Sequence, residues 1–437
     1  MKTPALRPAA LALLATLAAG NAAAATEPAA TVQLEKKIDL LSQQIEAMKA
    51  ELQQLKAQNQ ALSDQQQQTQ QQVTQQQASA DNGVKLWGYG EIYYDRPVHD
   101  TSATSADLAR AVFGIGYNFD ERTQFNSEFE IEHAVTSSSD PGEFEVEQFY
   151  VNHQFTDKMA GKAGLFLIPS GLINLSHEPT NFYGVHRNFV ETLIIPSTWR
   201  EGGVAVTGNT DAGLSWDVGL TTGVDLAKWT INPSEPPASA NDLKDLAPLQ
   251  ASHQELAQAS AQNLSQYLAV NYKGIPGFTA GASVFTGQSQ FQKGLARNQR
   301  TTLWEAHTRW TPGQADLSAV YARGHISNTA EVNQLYPGAA NPLPADFYGY
   351  YLQAAYNVWK RDSYRLAPFL RWERFNLGSR YDGVPMGFNA NGQPTERVWT
   401  YGANFYLNPH VVLKADYQMF QQNSRFDRLD LGLGLNF

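Results

Sequence analysis

The chain has 437 residues, no cysteine and a formal charge of −10 at neutral pH. This rules out a disulfide scaffold and a cysteine-ligated metal centre, and the acidic balance argues against a nucleic-acid partner. Beyond residue 25 there is no run of about 18 apolar residues, which excludes helical membrane spans but leaves a β-barrel open, because a barrel's signal per strand is weak.

Residues 1–25 carry Lys2 and Arg7, an apolar run from Ala9 to Ala19, and small residues at Ala23 and Ala25. This is the pattern of a secretory signal peptide. From Leu34 apolar residues recur at alternating steps of four and three, so residues 26–64 are predicted as a periplasmic coiled coil. Ile38, Ile45 and Leu52 take the a positions and Leu41, Met48 and Leu55 the d positions, while Asn59 at a further a position fixes register. A helix apolar on so narrow a stripe buries it against copies of itself, which predicts an oligomer. The alternative is a single amphipathic helix lying on the barrel base. Residues 65–83 are nearly all glutamine and read as a linker.

From Val84 the period changes to two. Strands are predicted at Val84–Tyr94, Leu108–Phe119, Thr123–Val135, Glu143–Phe155, Met159–Ile168, Trp199–Gly208, Ala212–Val224 and Asn263–Lys273. They continue at Phe278–Gly287, Arg300–Thr311, Ala315–Gly324, Phe347–Trp359, Arg365–Phe375, Thr395–Leu407, Val411–Phe420 and Arg425–Phe437. The fold class is therefore an all-β transmembrane barrel, residues 84–437, of sixteen antiparallel strands behind an α-helical coiled coil. Tight connectors such as 120–122, 156–158 and 209–211 alternate with long ones at 169–198, 225–261, 288–299, 325–346 and 377–394. Bacterial barrels alternate short periplasmic turns with long outer loops, which places the N terminus in the periplasm. The last strand puts Leu429, Leu431, Leu433, Leu435 and Phe437 on one face, and its aromatic terminus resembles the assembly signal of outer-membrane barrels.

Strand pleat also predicts facing. Trp399, Tyr401, Ala403, Phe405 and Leu407 suit lipid. Arg110, Glu128, Glu130, Glu132, Lys162, Asp217, Glu305, His307, Arg309, Arg365, Arg371, Glu373, Lys414 and Asp416 fall inside, which predicts a polar, wet lumen. The segment Glu143–Phe155 breaks phase near Glu147, as a β-bulge would.

The connector 169–198 is unusually apolar and wants cover, which the inner wall of a wide barrel can supply. It is predicted to fold inward as a constriction, with a lid or an oligomer contact as the alternative. His177, Glu178, Asn181, His186, Arg187, Asn188 and Glu191 would then face the passage. Glu128, Glu130 and Glu132 form an inward acidic row, and Arg309, Arg365 and Arg371 lie on other strands, so a field across the pore is expected. With Arg187, those arginines would favour small carboxylates at the narrowest point; pairing with Glu305 or Glu373 is the alternative.

His325 and Ser327 share a strand face in a His-x-Ser-Asn stretch that resembles an outer-membrane phospholipase, but four residues weigh little. Glu132-His133 and His177-Glu178 are adjacent and point to opposite faces on a strand, so neither pair chelates. No catalytic residue, metal or cofactor is expected.

The stretches His177–Asn188 and Ile195–Val206, behind a coiled coil and sixteen strands, resemble the phosphate-selective porin O and P superfamily, with most likeness to DcaP-like trimeric porins. That resemblance implies a homotrimeric outer-membrane porin whose third loop narrows the pore, a diffusion channel for small hydrophilic solutes such as dicarboxylates or phosphate. Its partners would be outer-membrane lipid, lipopolysaccharide and small solutes, with a peptidoglycan contact open to the coiled coil. The competing readings are an envelope-tethering barrel and an outer-membrane esterase.

Overall fold

The computed structural model describes residues 83–384 and 394–437, together with Leu40, Ser42, Gln43, Ile45, Glu46 and Lys49. The signal peptide, the glutamine-rich linker and the coiled-coil positions Ile38, Leu41, Met48, Leu52, Leu55 and Asn59 lie outside the described residues, whereas Ile45 is helical and exposed.

The strands are β1 (Val84–Pro97), β2 (Ser105–Asn118), β3 (Thr123–Glu132), β4 (Phe144–Thr156), β5 (Met159–Leu167), β6 (Arg200–Asn209), β7 (Leu214–Thr221), β8 (Ser265–Ile275) and β9 (Phe278–Ser289). They continue as β10 (Gln299–Trp310), β11 (Ala315–Ile326), β12 (Asp346–Tyr356), β13 (Trp359–Arg361), β14 (Tyr364–Arg380), β15 (Glu396–Asn408), β16 (Val411–Phe420) and β17 (Arg428–Asn436). Apart from β12 and β13, consecutive strands pair antiparallel. β12 and the short β13 both pair with β14, so they form one strand interrupted at Asn357 and Val358, and the barrel has sixteen strands as the alternation predicts. β17 returns to β1 in a ladder from Tyr89↔Asn436 to Pro97↔Arg428, which removes both sheet edges. The terminal residue completes this closure: Phe437 N–H donates to the Gly88 carbonyl at 2.9 Å and Gly88 N–H to the Phe437 carbonyl at 3.1 Å.

β11 shows why the segments are strands. Asp316, Ser318, Val320, Ala322, Gly324 and Ile326 point inward and are buried, while Leu317, Arg323 and His325 between them are exposed. Around the circumference the outward set is largely apolar, with Phe113, Val204, Leu268, Trp304, Leu352, Tyr401 and Leu431 all exposed. An apolar belt of this extent is the surface that a bilayer covers. Leu433 lies within it, beside Ile92 and Leu413.

The phase break near Glu147 is a bulge. Glu128 pairs with Gln148 but Phe129 with Val146, so Glu147 has no partner across the ladder and its side chain turns inward, where it is fully buried. Some boundaries move. β7 ends at Thr221 because Val224, Leu226 and Trp229 beyond it are drawn into the lumen, and β14 continues to Arg380.

The lumen departs from the wet interior expected throughout. At the rim carrying the long connectors, Leu303, Ile326, Phe347, Phe375, Leu377, Val398 and Phe420 from the strands meet Ile194, Ile195, Trp199, Leu226, Trp229 and Leu249 from the loops in one buried apolar cluster. The half carrying the short turns keeps more polar side chains, although Tyr183, Ala355, Ala367, Phe369, Tyr406 and Val412 form a second apolar cluster there. Alternation shows which residues share a face, but it does not show that loops cover both faces.

Candidate functional site

The connector Ile168–Trp199 folds into the barrel. Its stems are tied by Ile168 N–H to the Trp199 carbonyl at 2.8 Å. Asn174 clamps both: its amide donates to the carbonyls of Ile168 (2.7 Å) and Trp199 (2.9 Å), and its oxygen accepts from Trp199 N–H at 2.7 Å. Between the stems the chain docks along the inner wall. Gly184 N–H reaches Asn404 on β15 (3.1 Å), Val185 N–H reaches Asp416 on β16 (2.5 Å), and Phe189 N–H reaches Glu373 on β14 (3.0 Å). A five-residue π-helical turn, Val190–Ile194, then packs its buried apolar side chains into the cluster.

Glu191 in that turn was expected in the passage. Instead it is an internal staple, accepting from the backbone N–H groups of Leu172 (2.5 Å) and Ile173 (2.8 Å), the Asn188 amide (2.8 Å) and the Tyr351 hydroxyl (2.9 Å). Burial pushes its carboxyl above the ordinary range, against the pull of those donors. Gly171 has to be glycine. Its φ is +75°, and a Cβ there would lie 2.3 Å from the Glu191 carboxylate.

His177, at the near end of the loop, meets β1–β4. Its Nε2 is 2.6 Å from the Tyr89 hydroxyl, and Arg110 donates to its carbonyl at 2.7 Å. Glu128 and Glu130 are buried beside it, whereas Glu132 is only half-buried. His186 Nε2 contacts Asp95 on β1 at 2.9 Å, and Arg187 donates to the hydroxyls of Ser197 and Thr198 at 2.8 Å each, tying the two limbs of the loop. Glu178 is half-buried and accepts from Asn181 at 2.6 Å.

The arginines expected as a filter have partners within the protein. Arg309, Arg365 and Arg371 do converge, around Tyr183 of the loop, but each is already engaged. Arg309 makes a two-point contact with Asp316 (3.0 and 2.6 Å), and Arg365 stacks 3.8 Å from the Tyr406 ring centre. Arg371 is buried, 3.2 Å from Glu373, and donates to the Tyr183 carbonyl at 3.1 Å. Strand parity gave their face, but their depth and partners depend on the loop above them. His325 pairs with Asp346 (3.1 Å), and the Ser327 hydroxyl accepts from Arg300 N–H (2.9 Å). Among the described residues no hydrogen bond joins that histidine to that serine.

Because the loop docks mainly on β1–β4 and β11–β17, it leaves a space beside the wall from β5 to β10, which it touches through Ser170 and Ser283. A cavity of about 490 Å³ lies there between the first limb of the loop (Pro169, Leu172, Leu175, Ser176) and wall residues that include Lys158, Asp217, Asn271, Lys273 and His307. Lys162 and Tyr267 hold Asp217 at 2.8 and 2.6 Å. Lys158 and Lys273 escaped the sequence reading because they sit at strand ends, where alternation carries least information.

No family model matches the chain. An uncharacterized protein of Aquifex aeolicus is 31% identical over 346 residues, covering 77% of this chain and 75% of that protein. Among solved structures, OmpF of Salmonella typhi, in complex with daunomycin, superposes over 81% of this chain and 97% of its own, with a TM-score of 0.54 and 13% identity. The outer-membrane channel DcaP of Acinetobacter baumannii covers the same shares, with a TM-score of 0.50 and 10% identity. These likenesses identify a porin-type barrel.

Proposed function

The chain belongs to one family with the Aquifex aeolicus protein, and on its porin-type fold we propose that it is an outer-membrane diffusion channel for small hydrophilic solutes. The observation that carries this reading is the polar cavity left beside an inward-folded loop inside a closed, lipid-faced barrel. An envelope tether needs neither a wide barrel nor a docked loop. A preference for small organic anions such as dicarboxylates is supported by Lys273 at the cavity more than by the engaged arginines, while Lys158 beside it is 2.6 Å from Asp211. Assembly as a homotrimer through residues 26–64, with that coil in the periplasm and near peptidoglycan, is part of the same proposal. So are contact with lipopolysaccharide and membership of the O and P superfamily, which rests on residues 177–188 and 195–206. Particle mass in mild detergent, with and without residues 26–83, tests the trimer, and a monomeric intact protein would exclude it.

The channel itself is tested by reversal potential across a planar bilayer in a salt gradient. The double variant Lys158→Glu/Lys273→Glu is expected to shift the potential toward cation preference, because two positive charges at a low-dielectric wall become negative. Arg309→Ala is expected to leave it nearly unchanged. Absence of any conductance in the parent protein would end the channel reading, and a large shift in Arg309→Ala alone would return the filter to the arginines.

A further inference from the structure

We propose that Glu128, Glu147 and His177 bind a divalent transition-metal cation that pins the inward loop to the barrel wall. The three come from β3, the β4 bulge and the loop, and one ligand atom from each lies within 4.8 Å of the others. All three are buried.

Two observations point to a ligand. The first is the histidine tautomer. His177 Nδ1 lies 2.9 Å from the Asn174 carbonyl, which can only accept, so Nδ1 carries a proton and, in the neutral ring that ligates a metal, Nε2 presents a lone pair. A histidine held by a backbone carbonyl through its other nitrogen is the usual outer-sphere arrangement of a metal-bound imidazole. That lone pair faces the Tyr89 hydroxyl at 2.6 Å, while the same hydroxyl lies 2.8 Å from Glu147 Oε2. With the ring neutral a single hydroxyl proton cannot serve both acceptors, so without a metal the ring has to be an imidazolium that donates to Tyr89.

The second is an orphaned oxygen. Glu147 is fully buried, and no donor reaches its Oε1, which lies 3.7 Å from His177 Nε2. Arg110 is committed to Glu91 at 2.5 Å and to the His177 carbonyl. Among the described residues no lysine or arginine nitrogen lies within 4.0 Å of a carboxylate oxygen of Glu128, Glu130 or Glu147. Without a metal the counter-charge is limited to His177 as an imidazolium, 3.7 Å from Glu147 Oε1, and to the more distant Arg110; a divalent cation offsets more of the penalty of burying these carboxylates.

The ligand set chooses the metal. One imidazole with carboxylates suits Zn²⁺ or Mn²⁺ better than Ca²⁺ or Mg²⁺, which favour oxygen alone. A comparable triad, Asp95, His186 and Asp430, carries no such case, because Arg428 lies 3.0 Å from Asp430 and 3.7 Å from Asp95 and already supplies the positive charge. Sequence spacing could not reveal the first site. Its members are distant in the chain, and Glu147 enters the lumen only through the bulge.

The full-length protein in detergent is stripped with a chelator, dialysed against Zn²⁺ or Mn²⁺, and analysed for metal per chain by mass spectrometry, with heat-modifiable migration reporting the folded barrel. One ion per chain is expected in the parent and in Glu121→Gln, a change on an exposed short turn. Glu147→Gln and His177→Gln are expected to weaken binding at least about tenfold. A folded parent protein that holds no stoichiometric metal overturns the site, and its carboxylates then share protons instead. Equal binding in parent and Glu147→Gln also overturns it. If Glu147→Gln does not fold, Glu128→Gln decides in the same way.

Discussion

Replacing Glu191 with leucine isolates what holds the inward loop. The carboxylate accepts four hydrogen bonds, two of them from the backbone N–H groups of Leu172 and Ile173 in the first limb of the loop. Leucine keeps comparable bulk and removes every acceptor. The side chains of Asn188 and Tyr351 can turn to other partners, but the two amides cannot. A buried donor left unsatisfied costs about 1–3 kcal/mol, so the docked loop loses about 2–6 kcal/mol. At about 1.4 kcal/mol per factor of ten, the undocked population rises between about 30-fold and about 10⁴-fold. None of the four hydrogen bonds is part of a strand ladder, since Tyr351 on β12 donates through its side chain, so the barrel itself stays closed. The assay is limited proteolysis of the folded, heat-modifiable protein, combined with single-channel recording. New cleavage within 169–198 and a fluctuating current are expected. If Glu191→Leu is as protease-resistant and as quiet as the parent, the staple does not hold the loop.

Two further outcomes follow from the barrel and its outer half. Leu433→Arg places a charge on the lipid face, at a cost of about 2–4 kcal/mol near the midplane, so yields of inserted barrel are expected to fall; normal yields would refute the outward facing. Excising residues 226–249 removes Leu226, Trp229, Ile231 and Leu249 from the apolar cluster and is expected to raise conductance, whereas an unchanged current would show that this cluster does not obstruct the path.

The fold was legible because alternation is a local signal that every strand repeats. The bulge was legible for the same reason, as a slip of one residue near Glu147. The filling of the outer lumen was not, although a trace existed. Phe347, Tyr348, Tyr350, Tyr351 and Leu352 are apolar on both faces, as expected of a strand covered on both sides, and Leu226, Trp229, Ile231 and Leu249 stand in the long connector 225–261. The inward bend of residues 169–198 was foreshadowed by an apolar content that needed cover. The role of Glu191 was not, because four donors converge on it from three separate segments. The setting of Arg371 was not legible for a related reason: parity places it inside but says nothing of the loop that buries it against Glu373.

The two edges of the loop are specified by different physics. Toward the long-connector rim it packs Val190, Leu193, Ile194 and Ile195 into an apolar cluster, and burial alone tolerates small slides. Toward the wall it offers the amides of Gly184, Val185 and Phe189 one by one to Asn404, Asp416 and Glu373, each a directional contact that is costly to leave unmade. A slip of one residue would misplace all three at once, so the polar edge fixes where the loop lies. The limb from Pro169 to Ser176 makes no such wall contacts beyond Ser170, whose hydroxyl meets Ser283 at 3.1 Å, and it borders the cavity. Within that limb Leu175 and Ser176 are exposed, whereas Gly171 and Leu172 are tied to Glu191. Substitutions at Leu175 and Ser176 are therefore expected to reshape the cavity without undocking the loop, because the anchoring residues stay fixed.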